Sequence, residues 1–182
     1  MIQTVCALGA YKVSIIGTEA IVTDASFRDI CASNGCGVYG KCWMCPPDIG
    51  EIHELMAVIP TYRYALVYQT VYPLEDSFDI EGMQRSKREF TKLVQKVKTA
   101  FPDPDLLHLG AGGCGVCQVC SKRENQPCRF PDQAVAPLEG YGINVSRLAS
   151  AAEMKYINGQ NTVTYFGAML FGRPGRNSVE SE

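Results

Sequence analysis

Residues Ala65–Tyr72 read ALVYQTVY, and Glu81–Phe101 read EGMQRSKREFTKLVQKVKTAF. The first crowds β-branched and aromatic side chains into a short run that Pro73 ends, the pattern of a strand. The second has a different period. Phe90, Leu93, Val94, Val97 and Phe101 recur every three to four residues and line one face of a helix, while Lys and Arg fill the other, and Pro102 stops it. Outward from this pair the alternation continues. Asp105–Leu109 is a short strand candidate, Ser146–Tyr156 a helix with Leu148, Ala149, Ala152 and Tyr156 on one side, Asn158-Gly159 a turn, and Thr162–Phe171 a last strand. Toward the N-terminus, Tyr11–Ile16 and Ala20–Thr23 read as a hairpin or as a strand broken at Gly17. Ser26–Ala32 reads as a short helix delivering Cys31, and Ile49–Ile59 as a helix after the Cys45-Pro46-Pro47 turn. The expected fold is α/β or α+β: a small mixed sheet flanked by helices, with two cysteine-rich metal loops at its edge. A single domain over residues 1–172 is expected, with 173–182 as a flexible tail.

Eight of the nine cysteines fall in those two loops. CASNGCGVYGKCWMCPP holds Cys31, Cys36, Cys42 and Cys45, and CGVCQVCSKRENQPC holds Cys114, Cys117, Cys120 and Cys128. Four soft thiolates per loop match one zinc ion or one cubane iron–sulfur cluster, and a metal that prefers carboxylates would not select them. In the second loop the C-x2-C-x2-C triple lets one short segment wrap a corner of a cubane, and Cys128 follows to close the fourth iron. Gly110, Gly112, Gly113 and Gly115 permit the backbone approach that such wrapping needs. Zinc sites normally take two ligand pairs, so the triple favours iron and sulfide. The first loop, C-x4-C-x5-C-x2-C, leaves three readings open: a cubane, a zinc ion, or redox-active or structural thiols. Ferredoxin runs in which the last cysteine serves a neighbouring cluster add the exchange of Cys45 or Cys128 between loops.

Composition excludes other classes. A hydrophobic fraction of 46% and a charged fraction of 20% are those of a folded domain. A formal charge of -2 offers no basic field for a phosphate backbone, so nucleic acid is not an expected partner. No apolar run is long enough to span a membrane, and MIQTVCALGAYK lacks a basic start followed by an apolar stretch, so neither a membrane nor a secretory signal is expected. The reading is cytoplasmic, where clustered cysteines bind metal more often than they form disulfides.

Other features carry less. Gly110, Gly112 and Gly115 satisfy G-x-G-x-x-G, yet cysteines interrupt them and no helix pattern opens there. His53 and His108 read as surface or core residues, His108 being the better outside candidate for a ligand because it sits six residues before Cys114. Cys6 reads as a buried structural thiol. Asn144-Val145-Ser146 matches a glycosylation acceptor that a cytoplasmic chain never presents to the machinery. Lys41, Lys122, Arg123 and Arg129 lie close in sequence to the thiolates and are candidates to offset a cluster's negative charge.

CGVYGKCWMCPP, LGAGGCGVCQVCSKRENQPCRFP and EGYGINV, in this order, resemble a family of bacteria and archaea, frequent in anaerobes, known only as predicted metal-binding proteins. The resemblance runs from about Phe27 to Phe171. It implies that Cys31, Cys36, Cys42, Cys45, Cys114, Cys117, Cys120 and Cys128 are metal ligands. One segment departs: Ser-Met-Glu and then Gly-Ile-Asp in the family are Pro137-Leu138-Glu139 and Gly142-Ile143-Asn144 here, so the usual aspartate is replaced while Glu139 is retained. The functional expectation is a protein with two 4Fe-4S clusters that passes electrons to or from a partner redox enzyme. The alternative is an interaction module stabilised by zinc or a cluster without redox work, and an enzyme with one open iron site ranks third.

Overall fold

The computed structural model describes residues 1–173. The tail expected over 173–182 therefore lies, from residue 174 on, outside the described residues. Ten regular elements succeed one another: α1 (Ile2–Ala7), β1 (Lys12–Gly17), α2 (Phe27–Ala32), α3 (Ile52–Val58), β2 (Tyr64–Pro73), α4 (Ile80–Ala100), β3 (Leu107–Gly110), β4 (Ala136–Pro137), α5 (Val145–Ala151) and β5 (Thr162–Phe171). The strands form one mixed sheet in the order β1-β2-β5-β3-β4. All neighbours are antiparallel except β3 and β4, which run parallel. The mixed sheet with flanking helices is the architecture expected from the alternating patterns.

β2 and β5 pair along their whole length, from Tyr64↔Phe171 to Pro73↔Thr162. β2 lacks a polar face because both faces are covered. Leu66 and Tyr68 pack with Val5, Phe90, Leu93, Val94, Val97 and Met169 on the α4 side. Ala65 and Val67 join Leu148, Ala149, Ala152, Phe166 and Leu170 on the α5 side. Gly167 stands opposite Tyr68, and a Cβ there would fall 2.4 Å from the Tyr68 ring, so only glycine lets that ring lie across β5. Phe90 sits between Tyr68 and Tyr165, with ring centroids 6.1 and 5.5 Å away. α4 starts where Asp79 accepts a 2.7 Å hydrogen bond from the Gly82 amide.

Three local expectations change. Ala20–Thr23 is no second hairpin strand: β1 pairs instead with β2, residues 18–20 make a 3₁₀ turn, and Thr23 forms an isolated bridge to Ile143. The helix expected to reach Tyr156 ends at Ala151, because the chain reverses at Glu153 with φ of 55°. Tyr156 then lies outside the helix and stacks on Phe166 at 6.0 Å. α1 was not anticipated; it turns Val5 into the core and the next residue, Cys6, outward, so Cys6 is exposed and not a buried thiol. No helix among the described residues is long and apolar enough to cross a membrane.

The parallel pair β3–β4 fixes where the second cysteine loop stands. A parallel connection needs a dozen or more residues and usually contains a helix. Between β3 and β4 the crossover is that cysteine loop, so it leaves one strand's carboxyl end and returns to start the adjacent strand. Both strands thus point toward the same edge of the sheet.

Candidate metal centre

The two cysteine loops meet at that edge. Trp43 of the first loop donates its indole N–H to the Gln126 carbonyl of the second at 2.9 Å. Lys122 of the second reaches back to Asp48 of the first and lies 4.2 Å over the Trp43 ring. Between them the chains touch at Gly113, where a Cβ would lie 3.2 Å from Val38 and 3.8 Å from the Cys45 sulfur. Gly112 and Gly115, with φ of 58° and 72°, turn the second loop into this contact.

The thiols follow the same convergence. Cys42 and Cys45 are buried, Cys31, Cys114, Cys117, Cys120 and Cys128 are partly buried, and Cys36 is exposed. Cys42 accepts a hydrogen bond from the Cys45 thiol, and also from the Cys114 and Met44 amides and the Cys120 thiol. These contacts hold it down to about 5 against its burial. Donation to Cys42 and burial push Cys45 up. Burial raises Cys114, opposed by the amides of Val116 and Val135, and Cys42 and Cys128 lie within its electrostatic reach. Burial also raises Cys31, as does Cys36, while Arg28 opposes both. The groups that looked separate in sequence therefore adjoin through Cys42. Among the described residues, no three His, Cys, Asp or Glu side chains form a group that could hold a single metal ion.

On the first loop's side lies a cavity of about 460 Å³, walled by Phe27, Ile30, Tyr39 and Pro46 among others and reached by Cys31, Cys36, Cys45 and Glu139. Glu139 comes from the 3₁₀ turn directly after β4. Its Oε2 is buried without a hydrogen-bond partner, and burial raises its carboxyl above the usual range. Lys87 of α4 donates to the Ala111 carbonyl, and burial lowers its ammonium while Cys114, Glu139, Cys45 and Cys42 oppose that shift. Arg28 of α2 acts on Cys31 and has a buried Nη2 without a partner.

Lys87 and Arg28 were not singled out by the sequence, and Glu139 stood out only through the family resemblance. Lys87 is one of several cations on α4, and spacing alone does not mark the one that leans over the loop at Ala111. The four cations chosen for proximity in sequence are disposed otherwise: Lys122 pairs with Asp48, Lys41 donates to Gly37 and Arg129 to Val119, and Arg123 lies in the 3₁₀ turn after Cys120. His108 is buried on β3 beside Lys98, in a separate cavity with Asp132, and burial followed by the Lys98 charge lowers it to about 4. His53 is exposed on α3. Asn144 caps α5 by accepting from the Arg147 amide at 3.1 Å, a role an aspartate performs equally, so the departure at this position leaves the helix start intact.

The chain belongs to the family described as predicted metal-binding protein (DUF2284), which matches residues 14–171. No curated protein matches it. Among solved structures, a selenomethionine-labelled epoxyqueuosine reductase is similar at 12% identity with a TM-score of 0.36, over 100% of this chain and 47% of the other. The chain thus spans about half the length of that enzyme.

Proposed function

We propose that this member of the predicted metal-binding family is an iron–sulfur protein with two 4Fe-4S clusters that transfers single electrons to or from a partner redox protein in the cytoplasm. The observation that carries this reading is the meeting of the two cysteine loops at one edge of the sheet, with Cys42 in contact with both sets. The donor set fits: soft thiolates suit iron and sulfide, Gly113 leaves the loops in contact without a side chain between them, and the cavity is far larger than a single ion. The first-loop cysteines would hold one cluster and Cys114, Cys117, Cys120 and Cys128 the other. Bound clusters would supply one-electron exchange.

The chain's own residues set the conditions. Lys87 and Arg28 bring positive charge to thiolates that carry negative charge, which favours the deprotonated, ligating form. The Cys114, Val116 and Val135 amides donate to thiol sulfurs, and such hydrogen bonds, with burial, tune the potential of a ligated metal. The Trp43–Gln126 and Lys122–Asp48 contacts fix one loop against the other, so two centres would keep a constant separation.

Protein prepared without oxygen should be brown and contain about eight iron and about eight acid-labile sulfide per chain. Stoichiometric zinc with negligible sulfide would sink this reading in favour of the non-redox module.

A further inference from the structure

We propose that Glu139, and not Cys42, supplies the fourth ligand of the centre that Cys31, Cys36 and Cys45 surround, and that Cys42 stands against the second loop's centre without being one of its four ligands, Cys114, Cys117, Cys120 and Cys128. The proposal rests on the iron–sulfur reading and changes its ligand assignment from four thiolates in each loop. Two independent observations carry it. First, Cys31, Cys36, Cys45 and Glu139 all line the one cavity of about 460 Å³, and Cys42 does not. Their mutual proximity is also electrostatic: Cys31 senses Cys36 and Glu139, and Cys45, besides its contact with Cys42, senses Cys36 and Cys31. Cys42 touches Cys45 but is not part of the cavity wall. Beyond its neighbours Cys45 and Met44, its partners are the Cys120 thiol and the Cys114 amide, both in the second loop.

Second, the Glu139 carboxylate is left unfinished. Oε2 is buried with no hydrogen-bond partner, a costly state for a carboxyl group unless something occupies it. Its own backbone amide and the Lys87 charge stabilise the carboxylate in part, but neither gives Oε2 a partner, and the Lys87 ammonium is engaged with the Ala111 carbonyl and lies 3.5 Å from Thr91 Oγ1. A metal ion is the partner that a carboxylate shares with three thiols. These four side chains do not form a group for one ion. They stand around a space of about 460 Å³ where a single water occupies about 30 Å³, which suits a polynuclear group.

The consequence is chemical. A carboxylate is a harder and weaker donor to iron than a thiolate. The Glu139 position is therefore the exchangeable one, open to a small oxygen- or nitrogen-donor ligand entering the cavity, whereas the second centre is closed by cysteine alone.

The test is Mössbauer spectroscopy on the full chain loaded anaerobically with isotopically enriched iron, together with iron and sulfide counts. The native chain should show one iron distinct from the rest, and Glu139→Cys should remove that distinction by making the ligand set all thiolate. Cys42→Ser should keep the distinct iron, while Cys36→Ser should lose about half of the iron and sulfide. The proposal is overturned if Glu139→Cys and Glu139→Gln leave the native spectrum unchanged, or if Cys42→Ser loses the cavity-side centre. Zinc without sulfide in the native chain overturns the iron–sulfur reading itself, an outcome separate from either of these.

Discussion

His108 makes folding stability depend on pH in a way that can be separated from the metal. The residue is only 8% exposed on β3, and burial followed by the Lys98 charge lowers its imidazole from the ordinary 6.5 to about 4. Above about pH 6.5 the imidazole is neutral in both folded and unfolded chains and contributes no slope. Between about 6.5 and 4 the unfolded chain takes up a proton that the folded chain refuses, so stability falls as the pH falls. Below about 4 both states are protonated and the loss is complete. At about 1.4 kcal/mol for each pH unit, the total is on the order of 3 kcal/mol. The assay is urea unfolding of the native chain and His108→Leu at a series of pH values, with the difference between the two taken at each. Thiols and bound metal also respond to acid, but His108 lies in a different cavity from them and their contribution cancels in that difference. The His108→Leu chain should hold its relative stability as the pH is lowered, gaining on the native chain by most of that amount. Parallel curves across the window would refute the reasoning and show that the folded chain accommodates the charged ring.

Two further perturbations test the scaffold and the loop contact. Phe90→Ala removes the ring between Tyr68 and Tyr165 from a fully buried position and should cost about 3–5 kcal/mol, read from urea unfolding. A loss below about 1 kcal/mol would mean that α4 does not depend on this contact. Trp43→Ala removes both the hydrogen bond to Gln126 and the surface under Lys122, at a cost of about 2 kcal/mol. Amide exchange should then speed up in residues 36–50 and 111–128 and stay unchanged in α4, and uniform exchange across the chain would contradict the local clasp.

The main elements were legible because each has a strong local signal. β5 begins and ends where its apolar run does, and α4 is displaced by a single residue from the stretch between Glu81 and Phe101. What was not legible depends on contacts distant in sequence. Nothing in KVSIIG states that its partner is β2, more than forty residues later, in place of the nearby Ala20–Thr23. Tyr156 keeps helical spacing from Ala152, but the left-handed turn at Glu153 cancels the period. The cysteines were visible as two groups with an exchange of Cys45 or Cys128 between them among the readings, but a contact through Cys42 was not legible, because it rests on Trp43 finding a carbonyl 83 residues away. Lys87 and Arg28 carry no motif, and nothing in the spacing around Glu139 gives it a role. Each is marked by burial alone, which charge and spacing do not encode.

The parallel pairing of β3 and β4 explains why such dispersed residues become neighbours. Two residue pairs, Leu109↔Ala136 and Gly110↔Pro137, are enough to hold the ends of the second loop side by side. The chain leaving β3 reaches Cys114 within four residues, and the chain leaving β4 reaches Glu139 within two. α4 lies across one side of this edge and brings Lys87 over Ala111. On the other, α2 delivers Arg28 and Cys31 to the cavity region that Glu139 also lines. The apolar clusters on the two faces contain neither His108 nor any of the eight thiols, so the sheet and its helices bury their core without using a ligand. The thiols can therefore answer to the chemistry of what they bind while the strands that aim them are fixed by packing. This division matters for the proposed centres, whose donors would come from α2, two loops and the turn after β4: the framework would set where the ligands stand, and bound metal would have only to order the loops.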